Sequence, residues 1–234
     1  MKPSTKVTIL VAVVLLIDQA VKVWIKTHYE IGGGFNIFGL SWAQIHFVEN
    51  NGMAFGLTLG GNYGKLALSI FRLIAIGFLV YLIRQFLEAK VGFGILFSFG
   101  LILAGAIGNI LDSAFYGMLF SESTAHLPPA RLFPSEGGYA GLLHGKVVDM
   151  FHFPIARGIW PDWVPWFGGK YYMFFQPVFN VADVAITVGV LNILLFQRNF
   201  FFKELDKKEV EVKTTVALEA APKIDEAAAS EEEK

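Results

Sequence analysis

The chain of 234 residues contains no cysteine. Disulfides, thiolate metal sites and cysteine nucleophiles are therefore excluded. Charge is scarce too. Asp, Glu, Lys and Arg make up 17% of the residues, where a soluble domain carries about 25%. No dense basic patch exists, so nucleic acid is not an expected partner. The five histidines (His28, His46, His126, His144, His152) lack the H-E-x-x-H spacing of a hydrolytic metal centre. Neither G-x-S-x-G nor S-x-x-K occurs. The run Gly60-Gly61-Asn62-Tyr63-Gly64-Lys65-Leu66 is one residue short of a phosphate loop, and Leu66 stands where a magnesium-binding hydroxyl is needed. No metal and no cofactor are expected.

What is abundant is apolar surface: 54% of the residues are hydrophobic and the mean hydropathy is +0.52. The charge is also segregated. Lys203–Lys234 holds ten acidic residues and six lysines, while residues 1–202 hold ten acidic and thirteen basic ones. Such a chain reads as a membrane domain over 1–202, followed by a charged, disordered tail over 203–234.

Four apolar segments are long enough to cross a bilayer: Val7–Ile25, Leu66–Phe86, Gly94–Phe115 and Val178–Phe200. The expected class is an all-α membrane protein with four transmembrane helices and a small extracytoplasmic β-containing region. Lys2, Lys6, Arg84, Lys90, Arg198, Lys203, Lys207 and Lys208 flank the spans on one side. The positive-inside rule makes that side, with both termini, cytoplasmic. Segments of about 26–65 and 116–177 then lie outside. Alternation at Ile45-His46-Phe47-Val48-Glu49 predicts a short strand ending at a turn, Asn50-Asn51-Gly52. The second outer segment carries three of the five tryptophans, at positions 160, 163 and 166.

Charged groups inside a span are costly and need a reason. Here they are Asp18, Lys22, Arg72, Asp112 and Asp183, with Asn109 and Asn180 one turn before two of the acids. At a rise of about 1.5 Å per residue, all four helices place these groups toward one membrane face. Asp18 with Lys22, Asn109 with Asp112, and Asn180 with Asp183 each share a helix face. Their alternative role is to hold the helices together. Convergence at one depth favours a site. With thiols, metals and serine motifs set aside, carboxylates remain. Two that approach closely share a proton, leaving one acid and one base to activate water on a peptide bond. Asp183 is one candidate; its partner has to come from another segment ending at the same depth.

Five stretches, in order, carry a resemblance: Asp18-Gln19-Ala20-Val21-Lys22, Asn50-Asn51-Gly52-Met53-Ala54-Phe55-Gly56, Gly105-Ala106-Ile107-Gly108-Asn109-Ile110-Leu111-Asp112, Val147-Val148-Asp149-Met150, and Phe179-Asn180-Val181-Ala182-Asp183. The chain resembles lipoprotein signal peptidase (signal peptidase II), a family of integral-membrane aspartic proteases of bacteria. The resemblance implies that Asp149 and Asp183 are the catalytic pair. It implies substrate-binding or supporting places for Asp18, Lys22, Asn50, Gly52, Gly108, Asn109, Asp112, Asn180 and Ala182. It further implies a multi-pass monomer in the cytoplasmic (inner) membrane, with the site near the extracytoplasmic face. The partners are membrane lipids and a prolipoprotein whose cysteine carries a diacylglyceryl group, cleaved just before that cysteine. Three features depart from the family pattern: Ser113 replaces an arginine, the outer segment is longer on both sides of Asp149, and a charged tail follows.

Two other classes fit parts of the pattern. A proton- or cation-coupled transporter could use Asp18, Asp112 and Asp183, but Leu10–Leu16 and Ile186–Leu195 are nearly free of polar residues. A scaffold would explain the helix residues, but not the Asn50-x-Gly52 and Val147-Val148-Asp149 motifs.

Overall fold

The computed structural model describes residues 1–51, 61–126, 128–198 and 200, with 61 and 62 by backbone alone. Proline at the first position opens helix α1 (Pro3–His28), where its fixed φ suits the helix and its missing N–H costs nothing. The helix stops where Tyr29 turns extended and donates its N–H to the Ile25 carbonyl at 3.0 Å. Helices α2 (Gly61–Glu88) and α3 (Phe93–Leu111) are joined by a tight turn in which Lys90 adopts φ 52°. The chain then continues through a π-helical turn, Asp112–Tyr116, into a last short turn, α4 (Gly117–Leu119).

Among the described residues, three helical segments are long and apolar enough to cross a membrane: Pro3–His28, Tyr63–Glu88 and Phe93–Leu119. The fourth expected span differs. Its first two residues are strand, and helix α5 (Val181–Phe196) has 16 residues, a length of about 24 Å against a hydrocarbon core of about 30 Å. Asn180 is the reason for the late start: its side-chain oxygen accepts the Asp183 N–H at 2.9 Å, which makes it an N-cap rather than a helix interior.

Strand content exceeds the short strand expected. β1 (Gly34–Asn36), β2 (Gln44–Asn50), β3 (Val147–His152) and β6 (Val178–Phe179) form one antiparallel sheet in the order β1-β2-β3-β6. β4 (Ala156–Ile159) and β5 (Tyr171–Phe174) pair separately as a hairpin. Val48 pairs with Asp149 and Asn50 with Val147, while a bulge between Ile45 and Val48 shifts the register toward Phe151. β6 pairs with β3 at Phe151–Phe179 and His152–Val178, and runs directly into α5.

Alternation along β3 sorts its side chains. Val148 and Met150 are fully buried with Ile25, Ile45, Phe47, Tyr116, Phe120 and Ala130, so the core lies between the sheet and the ends of α1 and α3. Asp149, between them, faces the other way. Helix packing is set by small residues. A Cβ on Gly105 would sit 2.3 Å from the Ala182 carbonyl oxygen, and one on Gly108 would sit 2.7 Å from Asp18 Oδ2. Glycine at both places lets α3 approach α1 and α5 closely enough for short polar contacts. All of this belongs to the unit Met1–Asn192. The second unit, Ile193–Lys234, is described only over the end of α5 and residues 197, 198 and 200.

Candidate active site

Asp149 is buried at the middle of the sheet. Its Oδ1 accepts from the Asn180 amide at 2.7 Å and its Oδ2 from the Asn50 amide. Asp183 stands in the first turn of α5. It accepts from the Asn109 amide at 2.8 Å and from the Asn180 N–H at 3.2 Å. Asn180 thus bonds both carboxylates, one through its side chain and one through its backbone. β6 makes this possible, because its ladder to β3 fixes where α5 begins relative to Asp149. Burial, and then repulsion from Asp183, pushes the Asp149 carboxyl up to about 7, against the opposing pull of the Asn180 hydrogen bond.

Behind the pair lies a second layer. Lys22 is fully buried and lies 2.9 Å from both Asp18 and Asp112. It also donates to Asn109 Oδ1 at 3.0 Å, and the Asn180 amide reaches that same oxygen at 3.1 Å. With its oxygen held by two donors, the Asn109 amide nitrogen is turned toward Asp183. Asp112 ties α3 to the sheet by accepting the Val148 N–H at 3.2 Å. Asp18 ties α1 to α5 by accepting the Ala182 N–H at 2.8 Å. Gly108 and Ala182 keep the space that these contacts need.

The arrangement joins Asp18, Lys22, Asn50, Asn109, Asp112, Asp149, Asn180 and Asp183 in one network; Gly52 lies outside the described residues. Arg72 from α2 donates to Ser113 Oγ at 3.4 Å, and its charge acts on Asp183, Asp112 and Asp149. Arg131 instead pairs with Glu136 at an exposed position. Gln19 is a member that spacing did not single out. It donates to Asp112 at 2.9 Å, Asp18 at 3.1 Å and the Gly108 carbonyl at 3.2 Å, and accepts from Tyr116 at 3.2 Å. Its place between Asp18 and Lys22 is the one signal that could have found it. Among the described residues no group of three or more His, Asp or Glu side chains is arranged to hold a metal.

Ser113, which borders this network, is not set up as a nucleophile. Ser113 Oγ gives its proton to the Asn109 carbonyl at 3.1 Å. Lys22, held by two carboxylates, cannot serve it as a base. Two coupled carboxyls with amide donors on each can activate a water and protonate an amide.

The chain is also similar to known proteins over most of its length. The family profile for "Signal peptidase (SPase) II" matches residues 10–200. A lipoprotein signal peptidase of Porphyromonas gingivalis is 46% identical over 190 residues, covering 81% of this chain and 81% of the relative. One from Amoebophilus asiaticus is 36% identical over 198 residues, covering 83% and 78%. A solved bacterial membrane enzyme, determined by the in meso method, matches in fold with a TM-score of 0.53 at 24% identity, over 83% of this chain and 88% of that one. The match over most of the chain leads to one conclusion: this chain belongs to the signal peptidase II family.

Proposed function

We propose that Asp149 and Asp183 are the catalytic pair of an aspartic endopeptidase that removes the signal peptide from prolipoproteins. The protease activity and its place in lipoprotein processing follow from family membership. The observation that carries the catalytic assignment is Asn180, whose side chain and backbone bond one carboxyl each. The pair shares one proton. The ionised carboxyl draws a proton from water, and the oxygen of that water attacks the scissile carbonyl. The protonated carboxyl gives its proton to the carbonyl oxygen; collapse of the tetrahedral intermediate then passes a proton to the leaving amine.

The remaining residues prepare this step. Asn109 and Asn180 aim the two carboxyls. Lys22, Asp18 and Asp112 hold Asn109 and the sheet in place. Asn50, two positions before Gly52 in the chain, supports Asp149 and lines the substrate backbone. Arg72, bonded to Ser113, supplies the positive charge that family members carry on an arginine after the Asp112 position.

The substrate is a precursor already bearing diacylglyceryl-cysteine, cut just before that residue. Its lipid reaches the site from the bilayer, and the chain acts as a monomer. α5 completes a four-span bundle in the bacterial cytoplasmic membrane. Both termini are cytoplasmic, 1–202 is the peptidase domain, and 203–234, which lies outside the described residues, is a charged tail. The site then opens at the extracytoplasmic face. Asp149→Asn and Asp183→Asn, purified separately and given a lipidated precursor, test the assignment. Neither variant should turn over; normal cleavage by either would remove the pair. A non-lipidated precursor, offered to the wild-type protein, should remain intact.

A further inference from the structure

The hairpin β4–β5 stands apart from the main sheet. Its strands leave β3 and return to β6 through three residues each, Phe153–Ile155 and Phe175–Pro177, so it is held close to the sheet. The sheet in turn packs on the ends of the apolar helices: Ile25 of α1 and Tyr116 after α3 lie in its core. The hairpin therefore sits at the same membrane face as Asp149 and Asp183, whichever way the spans point.

Its side chains are unlike those of a water-exposed hairpin. Ile159, Phe167, Tyr171 and Phe174 are each more than half exposed, Trp163 is 81% exposed and Trp166 is 87% exposed. Only Arg157, Asp162 and Lys170 carry charge across residues 153–177. The other outer stretch, residues 121–146, carries Glu122, Arg131, Glu136 and Lys146 and holds no tryptophan. The turn is built, not frayed. Trp160 and Lys170 close it with an N–H to carbonyl bond of 2.9 Å, Gly169 returns one to the Trp160 carbonyl at 2.9 Å, and the Trp160 ring packs on Tyr172 at 4.9 Å. A two-stranded hairpin has little stability alone in water, and an ordered apolar surface of this kind needs something to cover it.

We propose that this hairpin is an interfacial anchor, with the indoles of Trp163 and Trp166 seated at the headgroup level of the leaflet on which the site opens. Two features favour lipid over protein. The hairpin is continuous through β6 with an apolar helix, and its composition, tryptophan and tyrosine with isolated Arg157 and Lys170, suits the boundary between acyl chains and phosphates. Anchored there, it fixes the approach of β6, and with it Asn180 and Asp183, to the bilayer surface from which a lipid-bearing substrate arrives. The anchor rests on α1–α3 crossing a bilayer and not on the assignment of the catalytic pair.

Fluorescence of the full chain in phosphatidylcholine nanodiscs tests it. Trp24→Phe, Trp42→Phe and Trp160→Phe together leave Trp163 and Trp166 as the reporters, and retained cleavage activity shows that the protein is folded. Lipid brominated high on its acyl chains should lower their emission roughly twofold, as for interfacial tryptophans, while aqueous iodide should have little effect. The same quenching is expected in the Asp183→Asn variant, which separates a failure of the anchor from a failure of the active-site reading. Quenching by iodide without quenching by bromolipid would put the hairpin in water and overturn the proposal. Protection from both quenchers would also overturn it, in favour of a covering protein or a second copy of the chain.

Discussion

Lys22 and Lys26 lie one turn apart on the same helix, and both are fully buried, yet their surroundings differ. Lys22 meets two carboxylates and the Asn109 amide oxygen, behind the proposed catalytic pair. Lys26 meets one carboxylate, Glu49, and the Ser123 hydroxyl at 2.7 Å, with the Phe120 and Tyr139 rings against it. The first lysine joins α1 to α3 beside the chemistry. The second joins α1 to β2 and to the long outer segment, on the core side of the sheet. Burial alone therefore says little about function. What distinguishes the two is whether the charge is linked, atom by atom, to Asp149 and Asp183.

The sharpest break comes from the pair itself. Asp149→Asn or Asp183→Asn should lower the cleavage rate by about 10³-fold without lowering Tm in detergent. Next, Lys22→Met strands Asp18 and Asp112 as buried charges, a loss of about 3–5 kcal/mol. It also releases Asn109, so kcat should fall as well. Lys26→Met should cost stability on a similar scale, because buried Glu49 loses its closest cation and keeps the Ser123 hydroxyl at 3.0 Å and the Lys146 ammonium at 3.9 Å. The rate per folded molecule should stay within about tenfold of wild type. Restoring Tm with the double variant Lys26→Met/Glu49→Leu would confirm the contrast, since a buried pair can be replaced by apolar residues at little cost. A large rate loss in a stable double variant would erase it.

The pH dependence sharpens the same contrast. Asp149 is held up to about 7, so it gains protons on folding. Its stabilising contribution is complete below the ordinary aspartate value and is lost as pH rises through about 7. The singly protonated pair is lost over the same range, so kcat should fall as pH rises above about 7. A stopped assay from pH 5 to 9 measures this, and a flat profile would contradict it. Gly108→Ala should have a smaller effect, about 1–3 kcal/mol of stability, because its Cβ would meet Asp18 and Ala182. The smallest effect is expected at Arg131→Ala. That residue pairs with Glu136 in solvent, and Tm should not move measurably.

Much of the site was legible in the sequence because its members are polar residues in apolar runs, where only a function or a partner keeps them. Helical spacing put Asp18, Lys22, Asn109, Asp112, Asn180 and Asp183 at one depth, and in the structure short polar contacts join them. Asp149 was different. It lies in a strand of the outer segment, and only the motif resemblance selected it, since the bonds that join it to Asn180 and Asn50 cross long loops. The Lys26–Glu49 pair was not legible either. Its partners come from three distant segments, and neither residue interrupts a span. The fourth expected span was read three residues too long at its start, because Val178 and Phe179, ahead of the cap Asn180, are as apolar as the helix that follows. Their pairing with β3 overrode that pattern.

The π-helical turn Asp112–Tyr116 has a consequence for how this chain can change length. Each residue of a helix rotates its successors by about 100°. Deleting one position within this turn would swing the Tyr116 hydroxyl away from Gln19 and carry the Ser113 carbonyl away from the Gly145 N–H it now accepts. Insertions and deletions in relatives should therefore fall beyond Ser121 and spare these five residues, which fix the angle at which the rest of that segment departs.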